Sequence, residues 1–442
     1  MVQKIYKMTK INGLITSKNA KIAILGLGYV GLPHAVLMAK AGFSVSGIDI
    51  KKQRVDSLNN GKSYIKDVSN GELAEIIKEG KFKAFNVFEP LETADIVVIC
   101  VPTPLDKNKN PDISYIKNSV EEVKKYLHKD QLIILESTTY PGTTEEVVLP
   151  LLEAGGLKAG KDFYLVFAPE RIDPGSKIPH SQIPKVVGGI TKKCAETAVL
   201  FYSQFLEKVC PVSSTRAAEM AKVLENTFRL VNISMINELT LLCSKMNIDI
   251  WEVIEAAKTK PYGFMPFYPS PKCGGHCISV DPFYLSYKAR EHNFWARFIE
   301  LAGEINEQMP HAVVTTVNYA LNKGEKPIKG SKILIWGASY KKDIGDSRES
   351  AFYDVVHDLL RKEADLEYFD PYIENIDIEG NEGVVKMKSI KLSDEKIGSY
   401  DLVLILTDHS GFDYENLADK AKIVVDTRNA IKSRNHKNVF RL

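Results

Sequence analysis

Apolar runs of five to seven residues, each closed by a glycine, proline or polar cluster, recur through the first half of the chain at 21–25, 44–48, 95–101, 131–136 and 163–167. Shorter runs follow at 185–188 and 208–211. Runs of this kind, lacking strict alternation, predict parallel strands buried on both faces. From Ser213 the period changes. Ala221, Leu224, Phe228, Val231, Met235, Leu239 and Leu242 are spaced three or four apart, which predicts one long helix. Such a helix cannot bury its stripe alone and is expected to join two domains while packing against a partner subunit. A further helix is expected at 251–258, then a loop at 261–271 with four prolines and four aromatics, too rich in proline for a helix or central strand. Helix returns from Asp281 to about Leu321, a polar linker spans 323–330, and a second α/β alternation begins with runs at 332–336, 367–369, 402–406 and 422–425. The expected architecture is α/β: two Rossmann-like, doubly wound domains joined by a long central helix and a helical dimerisation region. The expected segments are an extension at 1–19, domains at 20–212 and 323–442, and a central helical domain at 213–322. The extension is expected to add a helix or a subunit contact.

A chain of 442 residues is too long for one core, in keeping with this division. Its net charge of +2 argues against a large nucleic-acid footprint, and no tract of about 18 apolar residues predicts a membrane span. The first twenty residues lack the apolar core of a signal peptide, so a cytoplasmic protein is expected. The six cysteines at 100, 194, 210, 243, 273 and 277 are then expected to be reduced. Cys273 and Cys277 flank His276, but no second Cys/His pair stands at metal-site spacing, so no metal is expected.

The first strand runs into Gly26-Leu27-Gly28-Tyr29-Val30-Gly31, a helical pattern and a second strand ending at Asp49. Strand, glycine turn, helix, strand and acid form a dinucleotide fingerprint in its required context. Gly26 permits the turn, Gly28 admits the pyrophosphate and Gly31 lets helix and strand pack closely. Asp49 suits ribose hydroxyls and repels a 2′-phosphate, so NAD is expected. The segments after the next strands should line the same crevice: Pro102-Thr103-Pro104, Ser137 to Gly142 with Thr138 and Thr139, and Pro169-Glu170-Arg171. On the long helix Lys222, Asn226 and Arg229 share one face. Gly274-Gly275-His276-Cys277, followed by Asp281, is a glycine turn carrying a candidate nucleophilic thiol. The aromatics before it, Tyr268 among them, can cover a base or sugar. Lys341, Lys342, Arg348 and Arg428 follow strands of the second α/β half and suit a pyrophosphate. That half lacks the glycine fingerprint, so a nucleotide-type site without a second NAD is expected.

Taken in order, these motifs resemble the nucleotide-sugar 6-dehydrogenase family, the UDP-glucose/GDP-mannose dehydrogenases, over roughly residues 20–430. The carrying stretches are Gly26–Gly31, Ser137 to Gly142, Pro169-Glu170-Arg171, Glu219 to Arg229, Gly274 to Pro282 and Tyr340 to Ser350. The Pro-Glu-Arg and Gly-Gly-His-Cys versions resemble the branch acting on UDP-N-acetylhexosamines, with UDP-N-acetylglucosamine the first choice. UDP-N-acetylgalactosamine, UDP-N-acetylmannosamine and UDP-glucose stay open, as does a non-catalytic sensor of NAD and nucleotide sugar. The resemblance implies four-electron oxidation of the sugar C6 hydroxyl, with Cys277 as nucleophile and Lys222 and Asn226 as oxyanion donors. Asp281 would orient Lys222 or a water, Glu170 would assist thioester hydrolysis and Thr139 would hold the catalytic water. Arg171, Arg229, Tyr268, Gly274, Lys341, Arg348 and Arg428 fall to the UDP-sugar, and a homodimer or higher homo-oligomer is implied. His276 is a candidate for raising the thiolate fraction of Cys277. Cys273 and Ser279 depart from the family pattern, and Cys273 is a candidate partner for an inactivating disulfide with Cys277.

Overall fold

The computed structural model describes residues 9–442 apart from 66, 107, 174, 177, 276, 381 and 382. His276 and the first eight residues of the leader thus lie outside the described residues. The chain forms two compact units, Met1–Glu225 with Phe283–Phe294 and Asn226–Pro282 with Trp295–Leu442.

In the first unit β1 (Lys21–Leu25), β2 (Ser44–Ile48), β3 (Phe82–Phe85), β4 (Ile96–Ile99), β5 (Leu132–Leu135), β6 (Tyr164–Phe167), β7 (Lys185–Gly189) and β8 (Val209–Val212) form one sheet of order 3-2-1-4-5-6-7-8. Every pairing is parallel except β6 with β7. Odd and even residues enter different cores. Ile22, Ile24, Ile96, Val98, Leu132 and Ile134 pack on one face. Ala23, Leu25, Val97, Ile99, Ile133 and Leu135 pack on the other. This two-sided burial is why the strands read as continuous apolar runs.

The second unit repeats the plan. Strands β9 (Lys332–Trp336), β10 (Asp365–Phe369), β13 (Leu402–Ile405), β14 (Val424–Asp426) and β15 (Val439–Arg441) form a parallel sheet of order 10-9-13-14-15. A separate antiparallel hairpin pairs β11 (Asn375–Gly380) with β12 (Gly383–Lys388). Met309, Val313 and Val317 of the helix Arg297–Lys323 join Ile333 and Ile335 in one core layer, while Leu334, Val403 and Ile405 enter the opposite one. The α/β class with doubly wound parallel sheets is therefore as expected.

The leader contributes a helix, as expected, Lys10–Thr16, capped by Thr9 and buried through Ile11 and Ile15. Other elements were not anticipated. β3 is a lysine-bearing edge strand and β15 spans three residues, patterns too short or too charged to stand out. The helix expected from Asp281 to Leu321 is two helices, Asp281–Glu291 and Arg297–Lys323, separated where Asn293 takes φ +54°. The expected long helix is present as one element, Thr215–Lys245.

Both sheets open their first turn on a left-handed glycine. Gly26 has φ +90°, and a Cβ there would meet the Cys100 carbonyl oxygen at 2.6 Å. Gly337 has φ +93°, and a Cβ there would meet Thr407 at 2.5 Å. Gly26→Ala is expected to lower the stability of the protein by about 1–3 kcal/mol in denaturant unfolding, because backbone rather than a movable side chain blocks the new methyl group.

Candidate active site

The glycine turn of the first unit has the geometry a dinucleotide requires. Gly31 packs so closely that a Cβ would stand 1.8 Å from the Gly26 carbonyl oxygen, whereas Gly28 faces open space with nothing within 4 Å. The helix Gly31–Lys40 begins after Val30 without a side-chain cap, and Tyr29 beside it is 42% exposed. Uncapped amides at a helix start suit a phosphate. Asp49 closes β2; it accepts from Leu27 N (3.1 Å) and Lys51 N (2.9 Å) and pairs with Arg54 at 3.3 Å. At the ends of the next strands Thr103 is buried, Pro102 exposed and Thr138 half-buried.

Thr139 is buried and its hydroxyl lies 2.6 Å from that of Thr143. The loop holding both is tied to the long helix by Glu219, which is fully buried and accepts from Gly142 N (2.6 Å), Thr144 N (2.9 Å) and the Thr144 hydroxyl (2.7 Å). Burial pushes the Glu219 carboxyl up to about 7 against the pull of these hydrogen bonds. Lys222 lies one turn further along the helix and is 7% exposed. The Arg171 guanidinium engages Glu225 (2.6 Å) and the Pro184 carbonyl (2.9 Å).

In the second unit Asn226 Nδ2 donates to Asp281 Oδ2 at 2.5 Å, and both side chains are buried. Four residues before Asp281 the Cys277 thiol is exposed, and the Asp281 N–H donates to the Cys277 carbonyl. Cys273, by contrast, packs with Leu230 and Ala302, and burial pushes its thiol up to about 12. Gly274 lies against Tyr340, leaving 2.6 Å for a Cβ. Tyr268 stacks on Trp251 with centroids 5.7 Å apart. The pair borders a cleft of ≈ 550 Å³ also lined by Glu255, Asp408, Arg428 and Lys432. Arg428 and Lys342 both approach Asp408, at 3.3 and 3.6 Å. Arg348 is paired with Asp346 at 2.6 Å; Arg229 is exposed and Lys341 half-buried. The second turn carries its own acid: Asp370, after β10, accepts from Ala338 N (2.8 Å) and Ser339 N (2.9 Å), and pairs with His409 at 3.0 Å.

Three domain models match along the chain: the NAD binding domain of the UDP-glucose/GDP-mannose dehydrogenase family at residues 20–206, its central domain at 216–308 and its UDP binding domain at 334–433. The chain belongs to that family. It is an NAD-dependent UDP-sugar dehydrogenase. A UDP-N-acetyl-D-glucosamine 6-dehydrogenase of Pseudomonas aeruginosa is 36% identical over 398 residues, covering 89% of this chain and 92% of the relative. A UDP-N-acetyl-D-mannosamine dehydrogenase of Methanococcus maripaludis is 34% identical over 428 residues, 93% of each. Among solved structures, the UDP-D-ManNAc dehydrogenase from Pyrococcus horikoshii superimposes with a TM-score of 0.86 at 32% identity, covering 95% of this chain and 98% of that one.

The dehydrogenase also holds a buried charge cluster that sequence reasoning did not find. His34, on the glycine-turn helix, places Nε2 2.5 Å from Glu170 and 3.0 Å from the His180 ring. Its Nδ1 stands 2.5 Å from Glu136 without the directionality of a hydrogen bond. Lys185 bridges Glu136 (3.2 Å) and Glu170 (3.0 Å), while the Tyr202 hydroxyl donates to Glu136. The second Glu170 oxygen accepts from the Arg171 and Ile172 amides. Two carboxylates thus meet two cationic groups in the interior, the pairing that makes buried charge tolerable. Glu170 belongs to the Pro-Glu-Arg motif, whereas His34 reads as one polar residue on an apolar helix.

Burial disfavours the imidazolium of His34, yet Glu136 and Glu170 overcome it and hold the group up at about 9. Burial likewise opposes the Glu136 carboxylate, but His34 and Lys185 bring it down to about 2. A raised histidine stabilises the fold fully below its ordinary value of 6.5 and loses that contribution as pH rises through 9. The lowered carboxyl contributes fully above 4.5 and loses its part as pH falls toward 2. Unfolding free energy of the dehydrogenase, measured in urea at several pH values, is expected to fall between about pH 6.5 and pH 9, and His34→Gln to flatten that decline.

Proposed function

We propose that the dehydrogenase oxidises the C6 hydroxyl of a UDP-N-acetylhexosamine to the carboxylate, with UDP-N-acetylglucosamine as first choice and Cys277 as covalent nucleophile. The observation that carries the chemistry is an exposed thiol at the end of a buried glycine turn, one helical turn ahead of the Asp281–Asn226 pair. The N-acetylglucosamine reading is supported by the Pseudomonas relative. The Methanococcus and Pyrococcus proteins support UDP-N-acetylmannosamine as the second choice, with UDP-N-acetylgalactosamine and UDP-glucose behind it. Gly26 to Gly31 and Asp49 would hold NAD, with Pro102, Thr103 and Thr138 at the strand ends; bound there, NAD accepts the hydride of each oxidation.

The chain's residues supply the rest. Lys222 and Asn226 hold the sugar oxygen as negative charge develops on it, and Asp281 assists removal of its proton. The Cys277 thiolate then adds to the aldehyde carbon; a C–S bond forms and the oxygen takes a proton, giving a thiohemiacetal. Loss of that proton and of a second hydride leaves a thioester. Water held by Thr139 and assisted by Glu170 attacks it, the C–S bond breaks and the thiolate returns. Summed, RCH2OH, two NAD+ and one water yield RCOO−, two NADH and three protons. Arg171, Arg229, Tyr268, Gly274, Lys341, Arg348 and Arg428 fall to the UDP-sugar. A sensor that binds both ligands without turnover would need none of this, since binding requires no nucleophile.

We also propose a homodimer or higher homo-oligomer. Leu224, Phe228, Met235, Leu239 and Leu242 of the long helix are between 38% and 56% exposed, so the expected stripe is left uncovered by its own chain.

With UDP-N-acetylglucosamine the protein is expected to form two NADH per sugar, faster than with the mannosamine, galactosamine or glucose nucleotides; one NADH per sugar would overturn the thioester route. Cys277→Ala should abolish two-step turnover. Leu239→Arg is expected to shift the protein to monomer in analytical ultracentrifugation, and an unchanged mass would count against the stripe as the interface.

A further inference from the structure

Between Ser270 and Gly275 the chain is neither strand nor helix, yet Ser270, Cys273, Gly274 and Gly275 are buried. Irregular backbone in the interior still has N–H and C=O groups that must be paired. Two asparagines pair it here. Asn306, from the helix Arg297–Lys323 and 3% exposed, accepts from Cys273 N at 2.6 Å and donates to Cys273 O at 3.3 Å. Asn237, from the helix Thr215–Lys245 and fully buried, accepts from Ser270 N at 2.9 Å and reaches the Ser270 hydroxyl at 3.4 Å. Lys272 between them is tied to Asp354 at 2.7 Å. On the other side of Cys273, Gly274 and Gly275 are closed in by Tyr340, the Gly275 N–H donates to Arg348 O at 3.1 Å, and the Ser279 hydroxyl donates to Gly275 O at 2.6 Å. The backbone leading toward the exposed thiol of Cys277 is thus held at Ser270, Cys273 and Gly275.

We propose that Asn306 is a positioning residue for the thiol: its side-chain amide stands in for a missing strand and sets the path of the Cys277 loop. The assignment rests on Cys277 being the nucleophile, and it explains why an asparagine occupies an otherwise apolar helix face. At neutral pH the asparagine amide offers an N–H donor and a carbonyl acceptor in one neutral planar group, matching the N–H and C=O of a single residue. An apolar replacement leaves both Cys273 groups unpaired in the interior. A carboxylate pairs the N–H but faces the carbonyl with a second acceptor. A protonated carboxyl again has one donor and one acceptor, so an aspartate at this position regains the match when it takes up a proton.

That difference supplies the test, made on the full chain. Alkylation of Cys277 by iodoacetamide is followed by peptide mass spectrometry in wild type, Asn306→Asp and Asn306→Ala, with kcat and KM for NAD measured alongside. In Asn306→Asp at about pH 8 kcat should drop by about 10²-fold, the scale of a misplacement near 1 Å, with KM for NAD little changed. The ratio of its alkylation rate to wild type should move toward one as pH falls to about 5.5, where a buried carboxyl is protonated, while the Asn306→Ala ratio stays displaced. Asn306→Ser, a milder change, should speed amide exchange of peptide 270–277 and leave peptide 332–336 protected. An Asn306→Asp ratio that equals wild type at every pH, or that is displaced equally at every pH, would overturn the proposal. If alkylated wild-type protein keeps two-step turnover, the nucleophile reading fails instead, and the alkylation ratios still decide the role of Asn306.

Discussion

A parallel sheet covered on both faces leaves polar chemistry one place to go, the carboxyl ends of its strands. The central strands of both sheets obey that constraint: successive residues of β1, β4, β5, β9 and β13 alternate between two apolar layers, and mid-strand polar side chains meet solvent on edge strands instead, at Lys83 of β3 and Glu367 of β10. The glycine turn, Thr103, Thr139, Glu170 and Asp370 all sit just past a strand end. The sheets need not be polar anywhere to support chemistry; they need only stop in the right places.

Where charge does enter the interior, it is paired in sets. His34, Lys185, Glu136 and Glu170 neutralise one another, and the cluster joins the glycine-turn helix to the ends of β5 and β6 through side chains alone. Removing one member would strand a charge in low dielectric, which costs several kcal/mol, whereas the intact set is near balance. Glu219 follows a different rule. It is satisfied entirely by neutral donors, so burial sets its protonation rather than a cationic partner.

What was legible in the chain was what is local. Gly26, Gly28, Gly31 and Asp49 lie within one βαβ stretch, and Cys277 and Asp281 within one turn, so spacing alone exposes them. The helix of Leu224 to Leu242 was equally plain, and its apolar stripe is exposed within the chain. His34 was not, because its partners are contributed by β5, the segment after β6 and the His180 loop. Asn237 and Asn306 were hidden for the same reason: an asparagine on a helix announces nothing until the irregular segment it serves is in place. The edge strands β3 and β15 and the hairpin β11–β12 were missed because they are short or carry charge on alternate positions, where burial on one face at most leaves little pattern to read.

Asp370 and His409 bear on redesign. Asp343 N donates to Nδ1 of His409, which puts the ring proton on Nε2, facing Asp370. Asp49, the acid proposed for the ribose in the first unit, accepts from two backbone amides and pairs with Arg54, whereas Asp370 accepts from four backbone amides, the Ser339 hydroxyl and the His409 imidazole, and is held down at about 2 despite its burial. Grafting the first unit's glycine pattern onto the second turn would therefore not create a dinucleotide site. The histidine would have to be removed first, because a carboxylate that is fully bonded from within has nothing left with which to tell one sugar hydroxyl from another.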